Sequence, residues 1–184
     1  MPAFRSAVYR WRLPGASTGT SSRLRLAFPS PNSKRYSGRN MNISTRRLSI
    51  ADYDDILRLW SVSGLPHKPL GRDSRESMTR EMLLPQCRYF GLFDGETMVG
   101  VAIASYDGRR GWLNRMAVHP DYRGRGLAGQ LIRECEEFLE SQGAVVMAGL
   151  IEELNTPSMA CFTKAGYECL STIKYFAKRR SSQS

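Results

Sequence analysis

Long hydrophobic runs are missing from this chain. No apolar stretch approaches the roughly 18 residues that a membrane-spanning helix needs, so no membrane partner is expected. Cysteine is sparse and scattered. Cys87, Cys135, Cys161 and Cys169 form no CxxC pair, and neither His67 nor His119 stands at ligand spacing from them. A metal centre or a disulfide framework is therefore not expected. The thiols read as free groups in a reducing compartment. Acid is absent from the first forty residues, which hold eight basic side chains and no Asp or Glu. Removing that segment from the total net charge of +10 leaves 19 basic and 17 acidic residues. The remainder is nearly neutral, so a domain-wide basic surface for nucleic acid is not indicated.

What is present divides at Met41. Residues 1–40 are rich in Arg, Ser, Gly and Pro and keep no period of 3.6 or 2. They read as a disordered basic N-terminal extension. It would be a transit-like peptide, a basic tail for an acidic partner, or a stretch upstream of a true start at Met41. Residues 41–184 read as one mixed α+β domain. Thr45 to Ser49 predicts a short strand. Residues 51–60 predict a helix with Asp52, Asp54 and Asp55 near its positive end. Gly64, Pro66, Pro69 and Gly71 break the chain into a loop, and Asp73 or Ser74 caps a helix that Pro85 ends.

The period then changes. Cys87 to Phe93, Met98 to Tyr106 and a strand from Trp112 to Val118 predict an antiparallel meander, turned at Asp94-Gly95 and Asp107-Gly108. Residues 127–141 predict an amphipathic helix, with Leu127, Leu131, Cys135, Phe138 and Leu139 on one face. Residues 144–151 are continuously apolar and predict a buried strand parallel to its neighbour. A helix from Asn155 to Ala165 follows, and two closing strands are expected at 167–173 and 174–178.

The stretch that organises the rest is RGWLNRMAVHPDYRGRGLAGQ, residues 110–130. A strand stops at His119-Pro120, a short polar turn follows, and Arg123-Gly124-Arg125-Gly126-Leu127-Ala128-Gly129 leads directly into a helix. Glycine lets a backbone approach a ligand closely. The free amides of a helix N-terminus carry partial positive charge, and arginines add full charge. Such a corner suits a phosphate or pyrophosphate.

The pattern Arg123-x-x-Gly126-x-Ala128 after Ala-Val-His-Pro-Asp-Tyr resembles the acetyl-CoA loop of GNAT-type N-acetyltransferases. A second resemblance starts at Asn155 and continues through Phe162, Lys164, Gly166 and Tyr167. The likeness covers roughly residues 45–178. It implies a mostly antiparallel sheet, splayed between its fourth and fifth strands, with flanking helices. It implies acetyl-CoA as cosubstrate and a primary amine acceptor, small molecule or protein, in a cytoplasmic monomer or homodimer. Met116, Ala117 and Val118 would face the pantetheine arm. Residues Arg123, Gly124, Arg125, Gly126, Leu127, Ala128 and Gly129 would hold the pyrophosphate, with Asn155 and Lys164 on the opposite side of the cleft. Organellar targeting by residues 1–40 stays open.

Two features depart from the family. The position that carries a base in some members is Leu150; by two-residue alternation Glu152 shares its face and is the candidate catalytic base. The position that often carries a proton-donating Tyr is Phe162, which has no proton to give. An acyl-CoA-binding sensor without turnover is therefore the alternative. Gly124, Gly126 and Gly129 also spell a dinucleotide GxGxxG, but five residues separate them from the strand and three antiparallel strands precede them.

Overall fold

The meander read from the sequence is the spine of the domain. In the computed structural model residues 41–179 are described; the expectation for residues 1–40 lies outside them. Strand β1 (Ile43–Arg47) pairs antiparallel with β2 (Cys87–Asp94), β2 with β3 (Thr97–Tyr106), and β3 with β4 (Gly111–Val118). Strand β5 (Met147–Ala148) adds to β4 in parallel, giving the spatial order β1-β2-β3-β4-β5.

Both faces of the central strands are covered, so their sequence is apolar throughout. Alternation along β3 sends Ala102 and Ala104 to one face and Val101 and Ile103 to the other. On the first face lies α3 (Leu127–Ser141), which inserts Leu131, Ile132, Cys135 and Leu139, all at 0% exposure. On the second lie α1 (Tyr53–Ser63) and α2 (Arg75–Met82), anchored by Ile56, Leu59, Trp60 and Met78.

Local chemistry fixes the ends of these helices. Ser49 and Asp52 form a reciprocal capping box around the turn Ile50–Asp52, and Arg46 clasps Asp52 at 2.6 Å. Gly64, with φ 76°, ends α1. Ser74 caps α2 by accepting from the Ser77 amide. Asn155 caps α4 (Thr156–Lys164) by accepting from the Ser158 amide.

The C-terminal part departs from expectation. The run 144–151 pairs only through Met147 and Ala148, and Val145 is 91% exposed. The strand is not a buried one, because it lies at the sheet edge with β4 on one side only. The closing strands at 167–173 and 174–178 are also absent among the described residues. Ile173 donates to Leu170 across a turn, and Leu170, Ile173, Tyr175 and Phe176 are exposed. Strand propensity is largely a matter of packing against neighbours, and these residues have no sheet to pack on.

Candidate active site

The ladder between β4 and β5 stops at Trp112–Ala148. Beyond it, Leu113 to Val118 runs on with β3 on one side and, among the described residues, no strand on the other. The His119 amide donates to Val99 O at 2.9 Å. Alternation in an antiparallel ladder therefore turns the Ala117 amide toward β3 and those of Met116 and Val118 away from it. Ala117 is buried between β4 and α1, while Met116 packs on the α3 side.

A β-bulge marks the same segment. Asn114 opposes Ile103 and Ala117 opposes Val101, so Arg115 and Met116 together face Ala102. Arg115 has φ 54°, and among the described residues no other non-glycine lies in the left-handed region.

After β4, the turn at residues 119–122 is built locally. His119 Nδ1 accepts from the Asp121 amide, and the His119 and Tyr122 rings meet edge to face at 5.8 Å. Tyr122 donates to Asp94 at 2.9 Å, tying the turn to β2. Gly124 and Gly126 then take φ 74° and 80°, a conformation that side-chain-bearing residues adopt with strain.

Helix α3 begins at Gly126 without a side-chain cap and without an acid in its first turn. The Gln130 amide reaches Gly126 O, so those of Leu127, Ala128 and Gly129 precede the helical ladder. Gly129 lies inside the helix, where glycine costs about 1 kcal/mol relative to alanine. Packing among the described residues does not require it, since a Cβ there would meet only Arg133 Nη1, at 3.8 Å. An uncapped helix of 15 residues, preceded by left-handed glycines on which an added Cβ would meet none of the described residues, fits a pyrophosphate.

The two loop arginines point elsewhere. Arg123 donates from Nε to Val118 O and from Nη2 to Ser63 O, and Ser63 Oγ also donates to Val118 O. This joins the end of β4 to the end of α1. Arg125 lies over the Tyr122 ring and against Met41 Sδ.

Asn155 acts as a helix cap, and Lys164 is an exposed residue of the last turn of α4. Glu152 is exposed in the turn before Asn155, whose amide donates to Glu152 O. Phe162 is buried over Gly149 and meets Tyr167 edge to face at 4.9 Å. The Tyr167 hydroxyl is buried near Glu136 of α3; burial, then that carboxylate, push its pKa above the ordinary tyrosine range. Cys161 is half-buried.

The resemblance implies that the 61–72 loop and the helix after it, with Arg72, Arg75 and Arg80, would line the acceptor side; sequence reasoning gave none of the pairings within that wall. His67 approaches Ser61 Oγ at 3.3 Å. Asp73 is buried, accepts from the Lys68 amide at 2.6 Å, and pairs with Arg115 at 3.3 Å. Tyr89 donates to Glu81 at 2.7 Å. The one signal for this wall in the sequence is the apolar–charged mixture of residues 60–81, which does not reveal who pairs with whom.

A five-stranded, mostly antiparallel sheet that loses its fourth-to-fifth pairing beside a glycine-led helix N-terminus defines the class. The chain belongs to the Acetyltransferase (GNAT) family, which residues 53–167 match. It is 31% identical over 124 residues to an acetyltransferase of Yersinia pestis (strain Pestoides F), covering 66% of this chain and 85% of that one. An acetyltransferase of Sodalis glossinidius (strain morsitans) is 28% identical over 130 residues, 70% of this chain and 89% of that one. Among solved structures, the fold is similar to that of the PaiA N-acetyltransferase from Thermoplasma acidophilum in complex with coenzyme A. The TM-score is 0.64 at 19% identity, over 72% of this chain and 94% of that one. It is also similar to the aminoglycoside N-acetyltransferase AAC(6')-Iy in complex with CoA, with a TM-score of 0.63 at 19% identity, over 77% of this chain and 98% of that one.

Proposed function

We propose that this protein transfers the acetyl group of acetyl-CoA to a primary amine by direct attack in a ternary complex. The observation that carries the reading is the uncapped N-terminus of α3 beside the half of β4 that β5 leaves unpaired. Amides from Gly124 to Gly129 would hold the pyrophosphate, helped by the helix dipole. The outward amides of Met116 and Val118 would pair with the pantetheine arm and polarise the thioester carbonyl as negative charge develops on its oxygen. Ala117 would contribute packing under that arm rather than an amide.

In this reading Arg123 and Arg125 shape the loop and raise its potential rather than grip the phosphate from their present positions. Asn155 would position α4 across the cleft, and Lys164 would add charge on that side. The amine attacks the carbonyl carbon, the bond to sulfur breaks, and the electron pair leaves with the thiolate. An ammonium must first lose a proton. Glu152, exposed in the segment between β5 and α4, would accept it through water. Phe162 supplies no proton to the thiolate, so solvent would.

The second reading, an acyl-CoA-binding sensor, is favoured by that buried Phe162 and by the solvent position of Glu152. Titration calorimetry with acetyl-CoA and thiol release over a panel of spermidine, neamine and lysine- or N-terminal-amine peptides separates the two. Heat with thiol release supports transfer. Heat without release for every amine supports the sensor, and no heat at all overturns both.

A further inference from the structure

Arg115 combines two features that seldom occur together. Its backbone has φ 54°, where a β-carbon is strained, and its side chain is mostly withdrawn from water although charged. The guanidinium lies 4.1 Å from the centre of the Trp60 ring, a residue of α1 at 0% exposure. Nη1 donates to Pro66 O at 2.8 Å. Nη2 pairs with Asp73 Oδ2 at 3.3 Å, an ion pair without hydrogen-bond alignment, and Nε is buried without a hydrogen-bond partner. Asp73 in turn closes the loop on itself. Its carboxylate accepts from the Lys68 amide at 2.6 Å, and its amide donates to Lys68 O at 3.1 Å. Tyr53 of α1 donates to Asp73 O.

One side chain from the bulge of β4 thus holds α1, Pro66 and Asp73 together. A glycine would satisfy the backbone of the bulge more easily, so its backbone alone does not call for arginine. Lysine could not replace the planar fork, which meets a ring face, a carbonyl and a carboxylate at once. The bulge also lies within Leu113 to Val118, the part of β4 that β5 leaves unpaired.

We infer that Arg115 is a positioning residue for the acceptor side: from the β4 bulge its guanidinium pins the 64–73 loop, so the strand that faces the thioester also sets where the amine sits. The inference rests on the transferase reading for its kinetic consequence but not for the clasp itself. In R115G the strain is relieved and the clasp removed; in R115K the charge returns without the fork.

The test pairs kinetics with hydrogen exchange. With whichever of spermidine, neamine or a lysine peptide the wild type acetylates, R115G raises KM for the amine at least tenfold. KM for acetyl-CoA stays within twofold, and R115K falls between. Unchanged amine KM in R115G, or equal rises in both KM values, overturns the inference. Amide exchange at Lys68 and Asp73 speeds at least tenfold in R115G while exchange in α3 does not change. Unaltered exchange across residues 64–73 overturns the clasp. If the wild type acetylates no amine, the transferase reading fails and the exchange result alone decides the clasp.

Discussion

Residues 43–141 and residues 144–179 are held by different amounts of the same forces. In the first region four strands of five to ten residues are laddered together and covered on both faces. In the second, β5 has two residues, α4 buries Phe162, and Val145, Leu154, Tyr175 and Phe176 face solvent. The difference lies where the proposed chemistry would need it. A full-length ladder between β4 and β5 would consume the outward amides of Met116 and Val118. The splay therefore opens beside a strand laddered to β3 and next to the least laddered part of the domain.

The largest expected effect is in the first region. Leu131→Ala empties a site at 0% exposure between α3 and the sheet, and costs about 2–5 kcal/mol in urea unfolding. A loss under about 1 kcal/mol would show that the first core is not the tighter one. Phe162→Ala removes the one buried side chain of α4. A fully cooperative domain would lose about 3–5 kcal/mol globally. The comparison expects a smaller global loss, with fast amide exchange confined to residues 147–167.

Asp52→Asn removes the anion that Arg46 and the Ser49 amide share, for about 1–3 kcal/mol at pH 7. The Arg46 hydrogen bonds are the main reason its folded pKa lies below the ordinary carboxylate value. A depressed pKa stabilises fully above the unfolded value of about 3.9 and is lost as pH falls through the folded one. Wild type and variant should therefore converge in acid; a constant gap down to the lowest pH would remove the ionic explanation.

Thiol reactivity draws the same line without a mutation. Burial pushes Cys87 up to about 12, aided by Glu81, and raises Cys135 further. At pH 8 a disulfide reagent should titrate Cys169 quickly and Cys161 more slowly, leaving Cys87 and Cys135 until denaturant is added. The smallest effect is expected from Phe176→Ser, at 90% exposure: a change within about 0.5 kcal/mol. A loss above 1 kcal/mol would mean that the tail packs in solution on something it does not touch here.

The sequence was most legible where local chemistry suffices. Residues 127–141 match α3 from end to end, because an apolar face, a glycine before it and a glycine after it are all local signals. The meander followed from Asp94-Gly95 and Asp107-Gly108 with strand-forming runs between. The same logic overreached at 144–151 and 167–178. Apolar and β-branched residues state what a segment could pack against, and only the presence of a neighbour turns that into a strand.

The site divides along the same line. Gly124, Gly126 and the free first turn of α3 were readable, since positive φ and an uncapped helix start are written in residue types. The directions of Arg123 and Arg125, the burial of Phe162, and the parity that gives Met116 and Val118 rather than Ala117 the outward amides were not. Each depends on which partner lies across the gap. By itself the sequence determined the elements, their order and the glycine corner, through short-range sterics and periodicity. Tertiary structure alone decided the bulge, the Arg115 clasp and the splay, because which residues meet across two separate elements leaves no local signature.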